Sequence, residues 1–183
     1  LLELNLEILH ELKSKNTNVC SISPKENNVI NIIPESKELG YVGTPKKINK
    51  EKILNFINNK QIPIVVPLGL GDDGRIYNIN ADVAAGSIAK EIDARRLLLM
   101  TDVEGVLDQN QKLISEINLN KANEMLKNNI ISGGMIPKIN TCLDAISNGV
   151  RGVVIVDGRK PHSILFELFS DKGAGTLIRK WII

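Results

Sequence analysis

Four loops of this 183-residue chain concentrate groups able to bind an anion or to place charge beside one. The run Ile-Ser-Gly-Gly-Met-Ile-Pro-Lys at 131–138 ends with a proline suited to a first helical turn and a lysine inside that turn. The helix dipole disfavours a cation there, so Lys138 either faces an anion such as a phosphate or is a solvated surface lysine. The run Tyr-Asn-Ile-Asn-Ala-Asp at 77–82 brings two amides and a carboxylate to a helix start. One cap needs one residue, whereas alternating spacing sets Asn78, Asn80 and Asp82 on one side of an extended approach. Capping and a substrate-facing role therefore both stand. Thr-Asp-Val-Glu-Gly-Val at 101–106 follows the most apolar strand of the chain. Its hydroxyl and carboxylates need partners or a site, and Gly105 lets backbone approach a ligand closely. The glycine-rich run at 69–74 lacks the Lys-Ser/Thr ending of a P-loop and the dinucleotide spacing, and reads as a turn.

Charge and composition narrow the partners. Lys and Arg number 23 against 21 Asp and Glu, a net charge of +2 without a basic block, and aromatic residues make up 3%. Neither a phosphate-backbone stripe nor a base-stacking surface is indicated, so nucleic acid is not an expected partner. No apolar run reaches the roughly 20 residues of a membrane span. Cys20 and Cys142 lie far apart and read as two buried thiols in a reducing compartment. No secretory signal pattern stands at the start. No set of side chains has metal-ligand spacing, and His162 reads as a loop or capping residue.

These loops need a scaffold, and the hydrophobic pattern supplies one. Leu2, Leu6, Leu9 and Leu12 predict an amphipathic helix ending near Asn16. Short strands follow at 19–22 and 29–33, and the polar stretch 40–48 suits an edge strand or hairpin. From there helices at 50–60, 81–91, 121–128 and 136–147 alternate with strands at 62–68, 96–100 and 150–156 that are apolar over almost their whole length. Residues 108–111 read as a projecting hairpin loop. Fully apolar strands alternating with helices indicate a parallel sheet covered on both faces. The expected fold is α/β, a three-layer α/β/α sandwich with a mainly parallel central sheet. One domain spans 1–183, with 62–183 as its nucleotide-binding part. Ligands of such sheets collect beyond the carboxyl ends of the strands, where the four loops fall.

With these residues in hand, the chain resembles the acetylglutamate kinases of the amino-acid kinase superfamily. The matches run in family order: Leu39-Gly-Tyr-Val-Gly43, the 77–82 run, Leu99-Met-Thr-Asp-Val-Glu-Gly-Val-Leu107, the 131–138 run, Asp157-Gly-Arg159 and Gly175-Thr176. The resemblance implies phosphoryl transfer from ATP, with Mg²⁺, to the side-chain carboxylate of N-acetyl-L-glutamate in arginine biosynthesis. It implies that Lys138 stabilises the transferring phosphoryl group, and that Asp82 orients Lys138 and a second lysine. Asn78 and Asn80 are the implied substrate-binding residues. The nucleotide is implied to meet Thr101, Asp102, Val103, Glu104, Gly105, Val106 and Leu107 on one side and Ile130, Ile131, Ser132, Gly133 and Met135 on the other. An already ionised acceptor needs no general base, only positioned positive charge.

The departures are as informative. The family's Lys-x-Gly-Gly element, which bears the second lysine, and its His-Gly-Gly-Gly-like loop have no match here. The isolated 183-residue chain is therefore expected to be inactive or nearly so. Ser21-Ile-Ser-Pro-Lys-Glu26 replaces a Gly-Lys-Asp turn. Residues 166–173 resemble the arginine-inhibited branch, with Glu167 and Gly173 as inhibitor contacts. A histidine common thirteen positions before that glutamate is Val154 here, and Glu167 also reads as an exposed helix charge. The resemblance further implies a homo-oligomer, dimer or hexamer. Abundant Ile, Asn and Lys fit AT-rich coding in a bacterium or an organelle genome, so the expected location is cytoplasm or plastid stroma, and kinship with a plastid or cyanobacterial enzyme would add a nitrogen-signalling protein as a partner. A non-catalytic module sensing ATP or arginine, or another member of the superfamily, is the competing assignment.

Overall fold

In the computed structural model, which describes residues 1–180, strands and helices alternate in two units, Leu1–Ile92 and the part from Asp93 onward. The first unit contains α1 (Leu2–Ser14), β1 (Val19–Ile22), α2 (Pro24–Asn27), β2 (Ile30–Pro34), β3 (Gly43–Ile48), α3 (Lys50–Asn58), β4 (Ile62–Val65), β5 (Leu68–Gly71), β6 (Ile76–Asn78) and α4 (Ala81–Glu91). Strand β1 runs parallel to β4, and a second sheet has the order β3-β2-β5-β6. The expected edge element at 40–48 is β3, antiparallel to β2 at the border of this sheet. Isoleucines dominate the core: Ile22, Ile30, Ile32, Ile53 and Ile79 are buried there together with Tyr77. β-branched residues fill such a pleated interior well.

Two expectations change in this unit. The apolar run at 62–68 is not one strand, because Val66 and Pro67 separate β4 from β5. Pro67 has no N–H to give a ladder, and the chain leaves one sheet there for the other. Only half of the leucine stripe of α1 is packed, since Leu9 and Leu12 are partly buried on the face of Asn5. Leu2 and Leu6 are exposed, while Asn5 is buried. Its amide donates to the Ile64 carbonyl at 3.1 Å and its oxygen accepts from the Ser21 hydroxyl at 2.6 Å, so a polar side chain anchors the helix to β1 and β4.

The second unit contains β7 (Leu97–Thr101), β8 (Glu116–Asn118), α5 (Leu119–Lys127), α6 (Met135–Ser147), β9 (Gly152–Asp157), α7 (Ser163–Phe169) and β10 (Gly175–Arg179). The sheet order is β7-β9-β10-β8, with β7 parallel to β9, β8 parallel to β10, and β9 antiparallel to β10. All six residues of β9 are buried, as its unbroken apolar run requires. Residues 96–100 were expected to be buried too, but β7 is the edge strand of its sheet and Met100 is 47% exposed. Cys142 is buried in α6, whereas Cys20 is only partly so. The fold is thus α/β, built on mixed sheets with parallel pairs at β1–β4, β2–β5, β7–β9 and β8–β10. Among the described residues no helix is long and apolar enough to cross a membrane.

Candidate functional site

In the second unit the carboxyl ends of two neighbouring parallel strands, β7 and β9, finish side by side, with Thr101 paired in register to Asp157. The chain after each strand makes a short polar turn. Gly158 donates its N–H to the Thr101 carbonyl at 2.8 Å, and Thr101 Oγ1 lies 3.2 Å from Asp102 Oδ1. The buried Asp157 accepts from Arg159 Nε at 3.0 Å, from its Nη2 at 3.0 Å and from its backbone N–H at 3.0 Å. Those donors hold the Asp157 carboxyl down at about 2. Glu104 pairs with Lys160 at 2.5 Å, which ties the loop after β7 to the loop after β9.

Beyond this pair of turns the chain folds back as the expected hairpin loop, with Leu107 bridged to Leu113 and Asp108 accepting two backbone N–H groups. A cleft of about 200 Å³ opens between this loop and the approach to α6. Val103, Gly105, Val106 and Leu107 form one wall; Ile130, Ile131, Ser132 and Met135 form the other. Two segments 23 or more residues apart in sequence thus meet, and eight of the twelve residues singled out for a nucleotide line one space. Thr101, Asp102, Glu104 and Gly133 stand outside its lining. Asp108 and Gln111 also line it and were not anticipated; a loop read only as projecting gave no sign of facing inward.

Helix α6 starts beside this cleft. Its N-cap is Gly134, which offers no side-chain cap; Met135 N and Ile136 N donate instead to the Ser132 and Gly133 carbonyls at 3.3 and 3.2 Å, and Pro137 has no N–H. Lys138 lies in that first turn, partly buried. Apolar walls with one ammonium beside them suit a flat apolar ring joined to a phosphate tail. Among the described residues no three His, Cys, Asp or Glu side chains gather to hold a metal.

The polar run at 77–82 lies in the first unit. Asn78 closes β6, is exposed, and donates its N–H to the Tyr41 carbonyl at 2.8 Å. Strand geometry stops there, so the alternation does not continue to Asp82. Asn80 is the N-cap of α4, its Oδ1 accepting from Asp82 N at 3.0 Å and Val83 N at 3.2 Å, and Asp82 sits in the first turn. The capping alternative is therefore realised for Asn80. Tyr77, buried beneath, donates to Asp73 at 2.8 Å and meets the Tyr41 ring edge-on at 5.7 Å. That hydrogen bond raises the Tyr77 pKa, while the Arg75 N–H and the Tyr77 hydroxyl lower that of Asp73.

A second cleft of the second unit, about 470 Å³, is lined by Arg96, Glu116, Glu167, Asp171, Lys172 and Gly173 among others. Glu167 is buried and is not the exposed helix charge that its leucine neighbours suggested. It pairs with Arg96 at 3.3 Å and accepts from Ala174 N at 3.0 Å. Gly173 has φ +67°, and a Cβ there would stand 2.7 Å from Glu167 Oε2. His162 is the residue before α7, in the left-handed region and making no side-chain cap.

With that geometry established, similarity to known proteins decides the family. The family model described as amino acid kinase family matches residues 1–157. This chain belongs to the amino acid kinase family. Within it, the chain is 56% identical over 180 residues to an acetylglutamate kinase of Pelagibacter ubique, covering 98% of this chain and 62% of that protein. It is 44% identical to an acetylglutamate kinase of Clostridioides difficile, covering 97% of this chain and 64% of that protein. The chain thus spans a little under two thirds of the length of these curated relatives. A solved structure from Streptococcus mutans UA159 superposes with a TM-score of 0.78 at 32% identity, over 93% of this chain and 64% of that one. The amino-acid kinase fold expected from the sequence is the fold found.

Proposed function

We propose that this chain acts in the ATP-dependent phosphorylation of the side-chain carboxylate of N-acetyl-L-glutamate, the acetylglutamate kinase reaction of arginine biosynthesis. The single observation that carries this proposal is the cleft between residues 103–107 and 130–135 with a lysine-bearing helix start beside it, in a chain whose curated relatives are acetylglutamate kinases. The apolar walls take the adenine end of ATP, and the first turn of α6 faces its phosphates. Mg²⁺ travels with those phosphates, as it does in nucleotide-dependent phosphoryl transfer.

In the transfer, a carboxylate oxygen of the acceptor forms a bond to the γ-phosphorus. The bond to the β,γ-bridging oxygen breaks, and ADP leaves with the electron pair. The acceptor is ionised at neutral pH, so no proton has to be removed. Lys138 stabilises charge on the transferring group, Asp82 orients the cationic groups, and Asn78 with the amide of Asn80 binds the acceptor. The cleft around Glu167 and Arg96 suits a cationic amino acid, with carboxylates at 116, 167 and 171 for a guanidinium and Lys172 for a carboxylate. Arginine feedback through Glu167 and Gly173 is therefore part of this proposal, as is a homo-oligomeric enzyme.

The test measures acyl-phosphate formation from N-acetyl-L-glutamate and MgATP, trapped as the hydroxamate, in a polypeptide that also carries the family's Lys-x-Gly-Gly segment and in its Lys138→Ala variant; the 183-residue chain alone is expected to turn over little or nothing. Turnover dependent on Lys138 is expected. Binding of ATP and arginine with no turnover under any acceptor would instead favour a sensing module.

A further inference from the structure

We infer that Thr176 is a positioning residue for the nucleotide cleft, acting through the backbone of Val106; this rests on the assignment of that cleft to ATP. Thr176 lies in β10, is fully buried, and neither lines the cleft nor has a charge to offer a ligand. Its hydroxyl is nevertheless used twice. Oγ1 accepts from Val106 N at 2.8 Å and donates to the Ile114 carbonyl at 2.6 Å. Ile114 N in turn donates to the Val106 carbonyl at 2.9 Å, and Leu177 N to the Ser115 carbonyl at 2.9 Å. One hydroxyl thereby ties three segments at one point, where the β8–β10 ladder meets the Leu107–Leu113 bridge.

The junction sets the wall of the cleft. Val106 is 1% exposed, and its neighbour Gly105 has φ +146°, a conformation in which glycine alone is comfortable. A Cβ on Gly105 would stand 2.6 Å from Thr176 Oγ1, so the glycine and the hydroxyl are packed against each other. Without the hydroxyl, the Val106 N–H and the Ile114 carbonyl would be buried with one partner fewer each. The loop would move to find others, because such groups are costly to leave unpaired. Valine has the shape of threonine without its hydroxyl; serine retains the hydroxyl.

The experiment compares MgATP affinity by calorimetry in the 183-residue chain, and KM for ATP and for the acceptor in the polypeptide that also carries the Lys-x-Gly-Gly segment, each unaltered, as Thr176→Val and as Thr176→Ser. Thr176→Val is expected to raise the ATP Kd and KM by roughly tenfold, the effect of about one unmade buried hydrogen bond. The acceptor KM should stay within about twofold, and Thr176→Ser should bind ATP as the unaltered protein does. Equal ATP affinities in protein and Thr176→Val overturn the inference and leave the cleft assignment standing. No ATP binding by the unaltered protein overturns the assignment itself, and the inference with it. A second measurement needs no variant: the Val106 amide should exchange slowly with deuterated solvent before nucleotide is added, and fast exchange there overturns the inference.

Discussion

Glu167 and Arg96 share one ion pair across 3.3 Å, but they stand in different media: the carboxylate side chain is 6% exposed and the guanidinium 40%. The burden of desolvation therefore falls on the acid, which also holds the Ala174 N–H. Removing the arginine leaves a buried charge with one donor, partly relieved by water entering where the guanidinium was. Arg96→Met is expected to destabilise the protein by about 1–2 kcal/mol, below the range for a fully buried pair. Urea unfolding measures this, and an unchanged midpoint would show that Glu167 is satisfied by other means.

The amide of Asn80 supplies a separate test. It caps α4 by accepting two backbone N–H groups, and alanine cannot. Asn80→Ala should cost about 1 kcal/mol, while Asn80→Asp should be nearly neutral for stability because an acid also caps and suits the dipole. If the side chain binds the acceptor through its NH₂, Asn80→Asp should raise the acceptor KM despite normal stability. Steady-state kinetics beside thermal melting separate the two roles.

How far the sequence reached can be argued from the same residues. Strand β9 was legible because a wholly apolar run has few other homes, and α3 and α6 because their apolar periods are strong. The α1 stripe held for Leu9 and Leu12 but not for Leu2 and Leu6, because periodicity records apolar residues and not where the helix leaves the sheet; Asn5 took the buried place there through two long-range hydrogen bonds. Edge or centre position is invisible in a strand's own letters, hence the exposed Met100. The walls of the smaller cleft were found as two separate motifs. Asp108, Gln111 and Thr176 were given no role, because their importance comes from tertiary placement. Arg96 was likewise read only as a strand's first residue, and its partner Glu167 lies too far along the chain for spacing to reveal the pair.

Asp157 makes a pH prediction whose sign is fixed by its partners. Its carboxyl is held at about 2 in the folded protein, below the ordinary 3.8, so the folded state binds a proton less readily than the unfolded chain. The stabilisation is fully present above about pH 4 and is lost as pH falls through about 2. Asp157→Asn, which cannot ionise, should flatten that part of the acid denaturation curve and lower stability at neutral pH. An unchanged acid limb would mean that the Arg159 pair does not persist in solution.

Lys138 is the sharpest case, since the helix start gives it both its cost and its use. An ammonium in the first turn of α6 is opposed by the dipole, and Gly134 offers no side-chain cap to offset it. A cation that only bound ATP would act on ground state and transition state alike, and its loss would raise KM with kcat little changed. A cation that answers charge developing on the transferring phosphoryl group acts mainly on kcat. Lys138→Ala is therefore expected to lower kcat by about 10²–10³-fold, with the ATP KM moving only a few-fold. Lys138→Arg should recover part of the rate, because it restores the charge but not the compact ammonium geometry. Near-normal turnover in Lys138→Ala would remove the lysine from the chemistry, and a pure KM effect would make it a binding group.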